Sequence, residues 1–122
     1  MIKVYRVLLI EDEAVTAEIA IQYLNRYNFT VTHIEDGREA PGKLRETAYD
    51  LIILDLMMPN VDGFGFLEAF DGLPEPVKTR AKVVMLSTSE SFKDLNRANQ
   101  NRYVYKFLNK PLNKAVLDAI RI

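Results

Sequence analysis

Short, almost continuous apolar segments alternate along this chain with segments of helical spacing. Three of the apolar segments are rich in valine, isoleucine and leucine: VYRVLLI (4–10), LIIL (51–54) and KVVMLS (82–87). Continuous apolar runs of this length are typical of strands that are covered on both faces. FTVTHI (29–34) and YVYKFL (103–108) are two further strand candidates. Strand alternating with helix predicts an α/β three-layer sandwich whose parallel strands are joined by right-handed crossovers.

Five helices are predicted between and after these strands. The first has apolar residues every four positions behind an acidic Glu-Asp-Glu, which suits a helix N-terminus; they are Val15, Ile19, Tyr23 and Tyr27. The second contains Pro41, which a helix tolerates only in its first turn. The third is predicted between Asp62-Gly63 and Gly72, and the others over residues 90–99 and 112–121. GLPEPVKTR (72–80), with two prolines, is predicted to be a loop.

Size and composition predict one soluble domain over residues 1–122, with 48% hydrophobic and 27% charged residues. Its 16 basic and 17 acidic residues leave a net charge of −1, which argues against nucleic-acid or membrane binding unless a local patch is hidden in that balance. The absence of cysteine excludes disulfides and thiolate metal sites. No apolar run approaches the roughly 20 residues of a membrane helix, and the N-terminus does not resemble a signal peptide. We therefore expect a cytoplasmic protein.

Polar residues follow the predicted strands where each strand ends. Glu11 and Asp12 follow the first strand, Asp55 the third and Lys110 the fifth, while Ser87 ends the fourth. Ligands of open parallel sheets bind beyond the carboxyl ends of the strands, so these side chains are expected to converge. Carboxylates packed that closely cannot all remain ionised without a cation.

The residue types at this edge favour magnesium and phosphoryl chemistry. Oxygen ligands without histidine or cysteine point to Mg²⁺, which often shares its coordination shell with a phosphate. Lys110 would add a second positive charge. Together they could neutralise an incoming phosphoryl group while the Asp55 carboxylate attacks phosphorus in line.

The order of these motifs resembles the receiver domain of bacterial two-component response regulators. Glu11-Asp12, DLMMPNVDG (55–63), a hydroxyl after VVML and a Lys-Pro pair occur in the family's order over essentially the whole chain. The resemblance implies a flavodoxin-like (βα)5 fold with strand order 2-1-3-4-5. It implies that Asp55 is the phosphoacceptor, and that Asp12, Asp55 and the backbone carbonyl of Met57 bind Mg²⁺ while Glu11 holds its waters.

The resemblance also assigns a switch. Ser87 would be the hydroxyl that moves to bond the phosphoryl group, and Lys110 would pair with that group, with a cis bond to Pro111. The family commonly has tyrosine three residues before the lysine, where this chain has Phe107. Phenylalanine can swing inward but cannot hydrogen-bond a partner, and Tyr105 is the candidate to supply a hydroxyl nearby.

Two further positions bear on the lifetime of the phosphoryl group. The family tunes self-dephosphorylation with the side chains two after the acceptor and two after the switch hydroxyl, which are Met57 and Ser89 here. A bulky apolar residue with a small one offers no clear group for positioning water. We therefore predict a long-lived phosphoryl state.

The resemblance further implies the partners. A sensor histidine kinase or a histidine phosphotransfer protein would supply the phosphoryl group, and a downstream protein would bind the surface of the fourth helix, fifth strand and fifth helix. That surface is expected to include five residues: Phe92, Leu95, Tyr103, Tyr105 and Lys106. Neither direct nucleic-acid binding nor membrane binding is expected, and a phosphorylation-dependent homodimer is left open. The chain would promote its own phosphorylation and dephosphorylation rather than act as an enzyme on another substrate.

Three other functions were weighed against this one. A receiver-fold module could bind partners without phosphorylation, although no required residue is missing. A phosphatase of the haloacid dehalogenase type needs a second acid two residues after its nucleophile, where Met57 stands. A flavodoxin needs a Ser/Thr/Gly-rich phosphate loop after the first strand, where this chain has EDEA (11–14). The sequence favours a stand-alone receiver of the CheY-like type that acts by protein–protein contact. It leaves open whether the chain is instead a piece of a longer regulator or hybrid kinase.

Overall fold

The fold is known from a computed structural model, which describes residues 4–58, 60–88, 92–110 and 112–120, Phe92 by its backbone only. The described residues form five strands: β1 (Tyr5–Ile10), β2 (Phe29–Ile34), β3 (Leu51–Asp55), β4 (Lys82–Ser87) and β5 (Val104–Asn109). They also form six α-helices: α1 (Ala14–Asn25), α2 (Ala40–Glu46), α3 (Gly63–Asp71), α4 (Glu75–Arg80), α5 (Phe92–Gln100) and α6 (Lys114–Ala119). A single 3₁₀ turn, Gly37–Glu39, precedes α2.

The strands form one parallel sheet in the order β2-β1-β3-β4-β5. This confirms the predicted fold and strand order. The register aligns the strand ends, because Ile10 pairs with Leu54, Asp55 with Leu86, and Ser87 with Asn109. The residues that follow β1, β3 and β5 therefore emerge at one edge of the sheet.

Helices cover both faces of the sheet, which gives the predicted three layers. Side chains alternate between the two faces of each strand. One face of the sheet packs against α2 and α3, where Phe66 and Phe70 are almost fully buried. The other face packs against α1 and α6, through Ala17, Leu24 and Leu117. β3 is buried along its whole length, and this explains its continuous apolar sequence.

The predicted α1 is present, but the apolar stripe that indicated it does not form its buried face. Val15 is 71% exposed and Ile19 is 47% exposed. The helix instead buries Ala17, Ala20 and Leu24, a spacing of three and four residues. Alanine has a short side chain, so it allows the helix to lie close to the sheet.

The prediction of a loop over residues 72–80 was wrong, because α4 lies within it. Pro74 is the N-cap residue and Pro76 lies in the first turn. A helix does not need the backbone N–H of its first turn, so proline is compatible there. Glu75 in the first turn forms an ion pair of 2.9 Å with Lys78 in the last. Both charges also complement the helix dipole.

The remaining helices agree closely with the sequence prediction. Pro41 lies in the first turn of α2, as required. Asp62 caps α3 by accepting a hydrogen bond of 2.7 Å from the Gly65 N–H, and Gly72 is the C-cap residue. None of the helices in the described part of the chain is long and apolar enough to span a membrane.

Candidate functional site

A cluster of charged side chains occupies the carboxyl edge of the sheet. Glu11 follows β1, Asp55 ends β3 and Lys110 follows β5. The Lys110 ammonium nitrogen lies 2.6 Å from Glu11 Oε1 and 2.7 Å from Asp55 Oδ2. The three side chains are only 13%, 5% and 11% exposed, respectively. The cost of burying the two carboxylates is thus offset by one shared cation.

Backbone groups hold the other oxygen of each carboxylate. The Met57 N–H donates to Asp55 Oδ1 at 3.1 Å, and the Glu13 N–H donates to Glu11 Oε2 at 3.3 Å. The His33 ring nitrogen Nε2 lies 2.8 Å from the backbone carbonyl oxygen of Glu11, which ties β2 to the same turn. The orientation of both carboxylates is therefore fixed from two sides.

Asp12 completes the acidic part of the cluster. One carboxylate oxygen each from Glu11, Asp12 and Asp55 lies within 4.8 Å of the other two. Three carboxylates facing one lysine leave an excess of negative charge when all are ionised. An all-oxygen set with this charge suits a small hard cation such as Mg²⁺, so the predicted ligands fit the predicted metal.

Burial and the ion pairs act on the titration of the cluster in opposite directions. Burial raises the pKa of Glu11, against the hydrogen bonds from Lys110 and from the Glu13 N–H. Burial acts to lower the pKa of Lys110, but its hydrogen bonds to Asp55 and Glu11 outweigh this and raise it. Lys110 is therefore charged at neutral pH.

Of the two predicted switch residues, Ser87 lies beside this cluster and Phe107 lies two positions before the end of β5. Ser87 is fully buried at the end of β4, and its backbone oxygen accepts a hydrogen bond of 3.1 Å from the Lys110 N–H. Phe107 is half-buried on β5 opposite Met85 and packs against the core. The hydroxyl and the aromatic ring therefore lie on neighbouring strands, with the ring one residue pair further from the edge along the same face.

The predicted partner surface is only partly solvent-facing. Tyr105 is 38% exposed, and the Lys106 ammonium nitrogen lies 5.8 Å from the centre of its ring. Tyr103 is instead engaged within the fold, because its hydroxyl bonds to Asp71 on α3. Leu95 is half-buried on α5.

Three predicted positions cannot be placed in this geometry. Pro111, Ser89 and the side chain of Phe92 lie outside the described residues. The cis bond before Pro111 and the contribution of Ser89 to phosphoryl lifetime therefore stay predictions.

One group of interactions was not predicted from the sequence, the ion pair and hydrogen bonds around Asp36. Arg38 Nη2 lies 2.6 Å from Asp36 Oδ2, and the Asn60 side-chain amide donates to the same oxygen at 3.1 Å. The hydrogen bonds from Arg38 lower the pKa of Asp36 to about 2. Asp36-Gly37-Arg38 after a strand is a recognisable turn. The hydrogen bond between Asn60 and Asp36 joins the loops that follow β2 and β3. Only the folded chain reveals this bond.

Comparison with known proteins identifies the family. The family model for the response regulator receiver domain matches residues 7–121. The chain belongs to this family. Among solved structures, chemotaxis response regulator CheY4 of Vibrio cholerae is similar at 26% identity and a TM-score of 0.83, covering 96% of this chain and 95% of that one. A two-component response regulator of Cytophaga hutchinsonii shares the fold, with a TM-score of 0.87 at 24% identity over 97% and 94% of the two chains.

Curated relatives are longer proteins. The transcription factor SKN7 of Candida albicans is 31% identical over 95% of this chain and 20% of its own length. The transcriptional activator protein PfeR of Pseudomonas aeruginosa is 31% identical over 93% of this chain and 35% of its own length. The chain spans between 10% and 37% of the first five relatives. Family membership makes this chain a receiver domain of the two-component class, whose members are signalling phosphoacceptors rather than classical enzymes.

Proposed function

We propose that this receiver is a switch that accepts a phosphoryl group on Asp55 from a phosphohistidine of a sensor histidine kinase or a histidine phosphotransfer protein. The observation that carries the proposal is the convergence of Asp55, Glu11, Asp12 and Lys110 at one sheet edge. Asp55 is held by the Met57 N–H and the Lys110 ammonium group, and it remains 11% exposed at the end of its strand.

The chemistry follows from these contacts. An Asp55 carboxylate oxygen forms a bond to phosphorus while the phosphorus–nitrogen bond of the donor breaks, and its electron pair stays with the imidazole. Lys110, already within 2.7 Å of Asp55 Oδ2, would then bond an oxygen of the transferred group. Mg²⁺, held by Asp12, Asp55 and the Met57 carbonyl with Glu11 on its waters, would neutralise phosphoryl charge when bound.

The switch would operate through the last two strands. Ser87 would bond a phosphoryl oxygen, and Phe107 would fill space that Ser87 vacates. Both lie on the β4–β5 ladder, which carries the change toward α5 and α6. Partners would then distinguish the two states by the surface of α5, β5 and α6.

Mass spectrometry of the intact protein tests the acceptor. The protein is incubated with Mg²⁺ and an acyl phosphate, and we expect the mass of one added phosphoryl group. Asp55→Asn should abolish the adduct. Asp62→Asn is the matched control, because asparagine still caps α3 and the adduct should persist. An adduct that survives in Asp55→Asn, or none in the native protein, overturns the proposal; partner binding retained without an adduct would favour a binding module.

The lifetime of the adduct tests the contribution of Met57. Its side chain is 66% exposed beside the acceptor, and a thioether is only a weak hydrogen-bond acceptor for an attacking water. We expect decay over many minutes after the donor is removed, and faster decay in Met57→Asn, whose amide can orient water. Decay of the native adduct within seconds contradicts this expectation.

A further inference from the structure

The charge of this chain is divided unevenly along its length. Residues 1–75 contain 14 acidic and 6 basic residues, whereas residues 76–122 contain 10 basic and 3 acidic residues. The overall net charge of −1 conceals this division. Six of these ten basic residues lie on α4, β4, α5 and β5, and β4 and β5 are the last two strands at one side of the sheet.

A β-bulge on β5 shapes the surface at this end. Val83 pairs with Val104 but Val84 pairs with Lys106, so Tyr105 is an extra residue in the ladder. A bulge bends its strand and re-aims a side chain. Tyr105 is 38% exposed, on the strand that forms the edge of the sheet.

Two lysines flank the Tyr105 ring. The Lys82 ammonium nitrogen lies 4.6 Å from the ring centre and that of Lys106 lies 5.8 Å away. The negative face of an aromatic ring attracts a cation over this range. The two charges are thereby gathered around one exposed ring.

A cavity of about 320 Å³ lies beside these residues. Lys78, Lys82 and Arg102 bring positive charge to its lining, and Tyr105 forms part of it. Two acids are already present: Glu75 lies 2.9 Å from Lys78, and Asp71 lies 3.2 Å from Arg102. Both acids are mostly exposed, at 76% and 60%. Arg102 is also mostly exposed, and an exposed pair contributes little to stability, so an incoming carboxylate can replace Asp71 beside Arg102. Lys78 is only 9% exposed, so it contributes positive charge to the cavity rather than a contact on its surface.

This surface is separate from the site of phosphorylation. Lys82 begins β4 and Ser87 ends it, so the two are five positions, or about 17 Å of extended strand, apart. A contact at the amino end of β4 and β5 therefore does not need the switch residues.

We infer that the basic corner, formed by Lys78, Lys82, Arg102, Tyr105 and Lys106, is a docking site for an acidic segment of a partner protein. Charge complementarity selects the occupant, and the exposed Tyr105 ring adds contact with an apolar or aromatic side chain of that segment. A short acidic peptide matches the local charge. A long nucleic acid would extend past the corner toward the acidic half of the chain, where it is repelled. Tyr105 and Lys106 also belong to the predicted partner surface, so the basic corner extends that surface toward the amino ends of β4 and β5, and docking there does not require phosphorylation.

A titration of ¹⁵N-labelled unphosphorylated protein, followed by nuclear magnetic resonance, tests the inference. The probe is a 12-residue peptide, about 40 Å long when extended, in which glutamate alternates with leucine and one phenylalanine. Its partner probe has glutamine in place of glutamate. We expect the acidic peptide to shift the amide signals of Lys82, Tyr105 and Lys106, and the glutamine peptide to leave them in place. Binding should weaken as salt is raised.

Charge reversal supplies the matched variants. Lys82→Glu with Lys106→Glu should weaken binding about tenfold or more, because two attractive contacts become repulsive. Arg26→Glu at the C-cap of α1, combined with Arg45→Glu on α2, lowers the net charge by the same amount away from the corner and should leave binding unchanged. If the double variant Lys82→Glu with Lys106→Glu is unstable in a thermal melt, the uncharged double variant Lys82→Gln with Lys106→Gln replaces it.

Each outcome bears on the inference. The inference is overturned if both peptides bind equally well, or if the two charge-reversed double variants lose the same amount of peptide affinity. Tighter binding of a 12-base-pair DNA duplex than of the acidic peptide would also overturn it. If the acidic peptide does not bind at all, the inference is also overturned. The lysines and the bulge would then be explained as features that prevent the edge strand β5 from pairing with another chain. Because Asp55→Asn should bind the acidic peptide as well as the native protein does, failure of phosphorylation and failure of docking are separate results.

Discussion

Replacing Lys110 with methionine tests the electrostatics of the acidic site directly. Methionine keeps much of the aliphatic stem but removes the only cation that bonds to both Glu11 and Asp55 among the described residues. Removing one partner of a buried pair typically costs about 3–5 kcal/mol. The side chains are 5–13% exposed, so solvent screens them little. Protonation of Glu11 removes one of the two unpaired negative charges and so lowers the cost. We therefore expect the free energy of unfolding to fall by about 3 kcal/mol at pH 7.

That loss converts to a shift in melting temperature. An unfolding entropy of about 2.1 cal/mol/K per residue gives a shift of about 12 °C for a chain of this length. Calorimetry or circular dichroism can measure it. Lys114→Met on the exposed side of α6 is the control, and its melting temperature should stay within about 2 °C of the native value.

The pH dependence provides a second, independent readout. The pKa of Glu11 is raised above its ordinary 4.5, so the folded state binds its proton more tightly than the unfolded state. Stability from this group therefore falls as pH rises from 4.5 through the folded pKa. Removing Lys110 raises that pKa further, so the variant should lose more stability at pH 7 than at pH 5. The raised pKa of Lys110 adds stability below pH 10.5, lost as pH rises through the folded value.

Two results would refute this reasoning. One is a Lys110→Met melting temperature within 3 °C (about 0.8 kcal/mol) of the native protein at pH 7. The other is a difference between the two proteins that is the same at pH 5 and pH 7. Adding Asp55→Asn to Lys110→Met removes one of the unpaired carboxylates, and part of the lost stability should return.

Two further predictions concern packing and a single titration. A Cβ at Gly63 would lie 3.1 Å from the Leu56 Cα, so Gly63→Ala should cost about 1–3 kcal/mol in urea unfolding. Gly42 has open space around its Cβ position within α2, so Gly42→Ala should stabilise by about 0.5–1 kcal/mol; equal effects of the two changes would refute the packing argument. The pKa of Asp36 should be about 2 in a carbon-detected titration and should rise toward 3.8 in Arg38→Leu, whereas an unchanged pKa in that variant would exclude Arg38 as the cause.

The strands were predictable because both faces of the sheet are covered. Full coverage requires apolar residues at successive positions, as in β3 and β4, and β4 matches its predicted segment at both ends. Helix faces were less predictable. Val15 and Ile19 carry the most visible periodicity of α1, whereas the buried face contains Ala17 and Ala20. Sequence periodicity shows that a helix exists, but close packing against a sheet can favour small residues on the inner face.

The site was predictable to the extent that it depends on strand ends. Parallel strands end at one edge, so Glu11, Asp55 and Lys110 could be brought together from their positions in the chain alone. Contacts between loops could not be predicted in this way. The bond between Asn60 and Asp36 depends on how two loops lie against each other. The basic corner was also hidden, because net charge does not reveal which charges the fold gathers on one surface.

The bonds of Lys110 join parts of the chain that are far apart in sequence. Its partner Glu11 is 99 positions away and its partner Asp55 is 55 positions away. Contacts of such high sequence separation carry a large loop-closure cost during folding. The cation lies beside both Glu11 and Asp55 only when β1, β3, β4 and β5 are assembled in one sheet. A partly folded receiver therefore lacks the charge arrangement at Asp55, and whatever reacts there meets a chain that has finished folding.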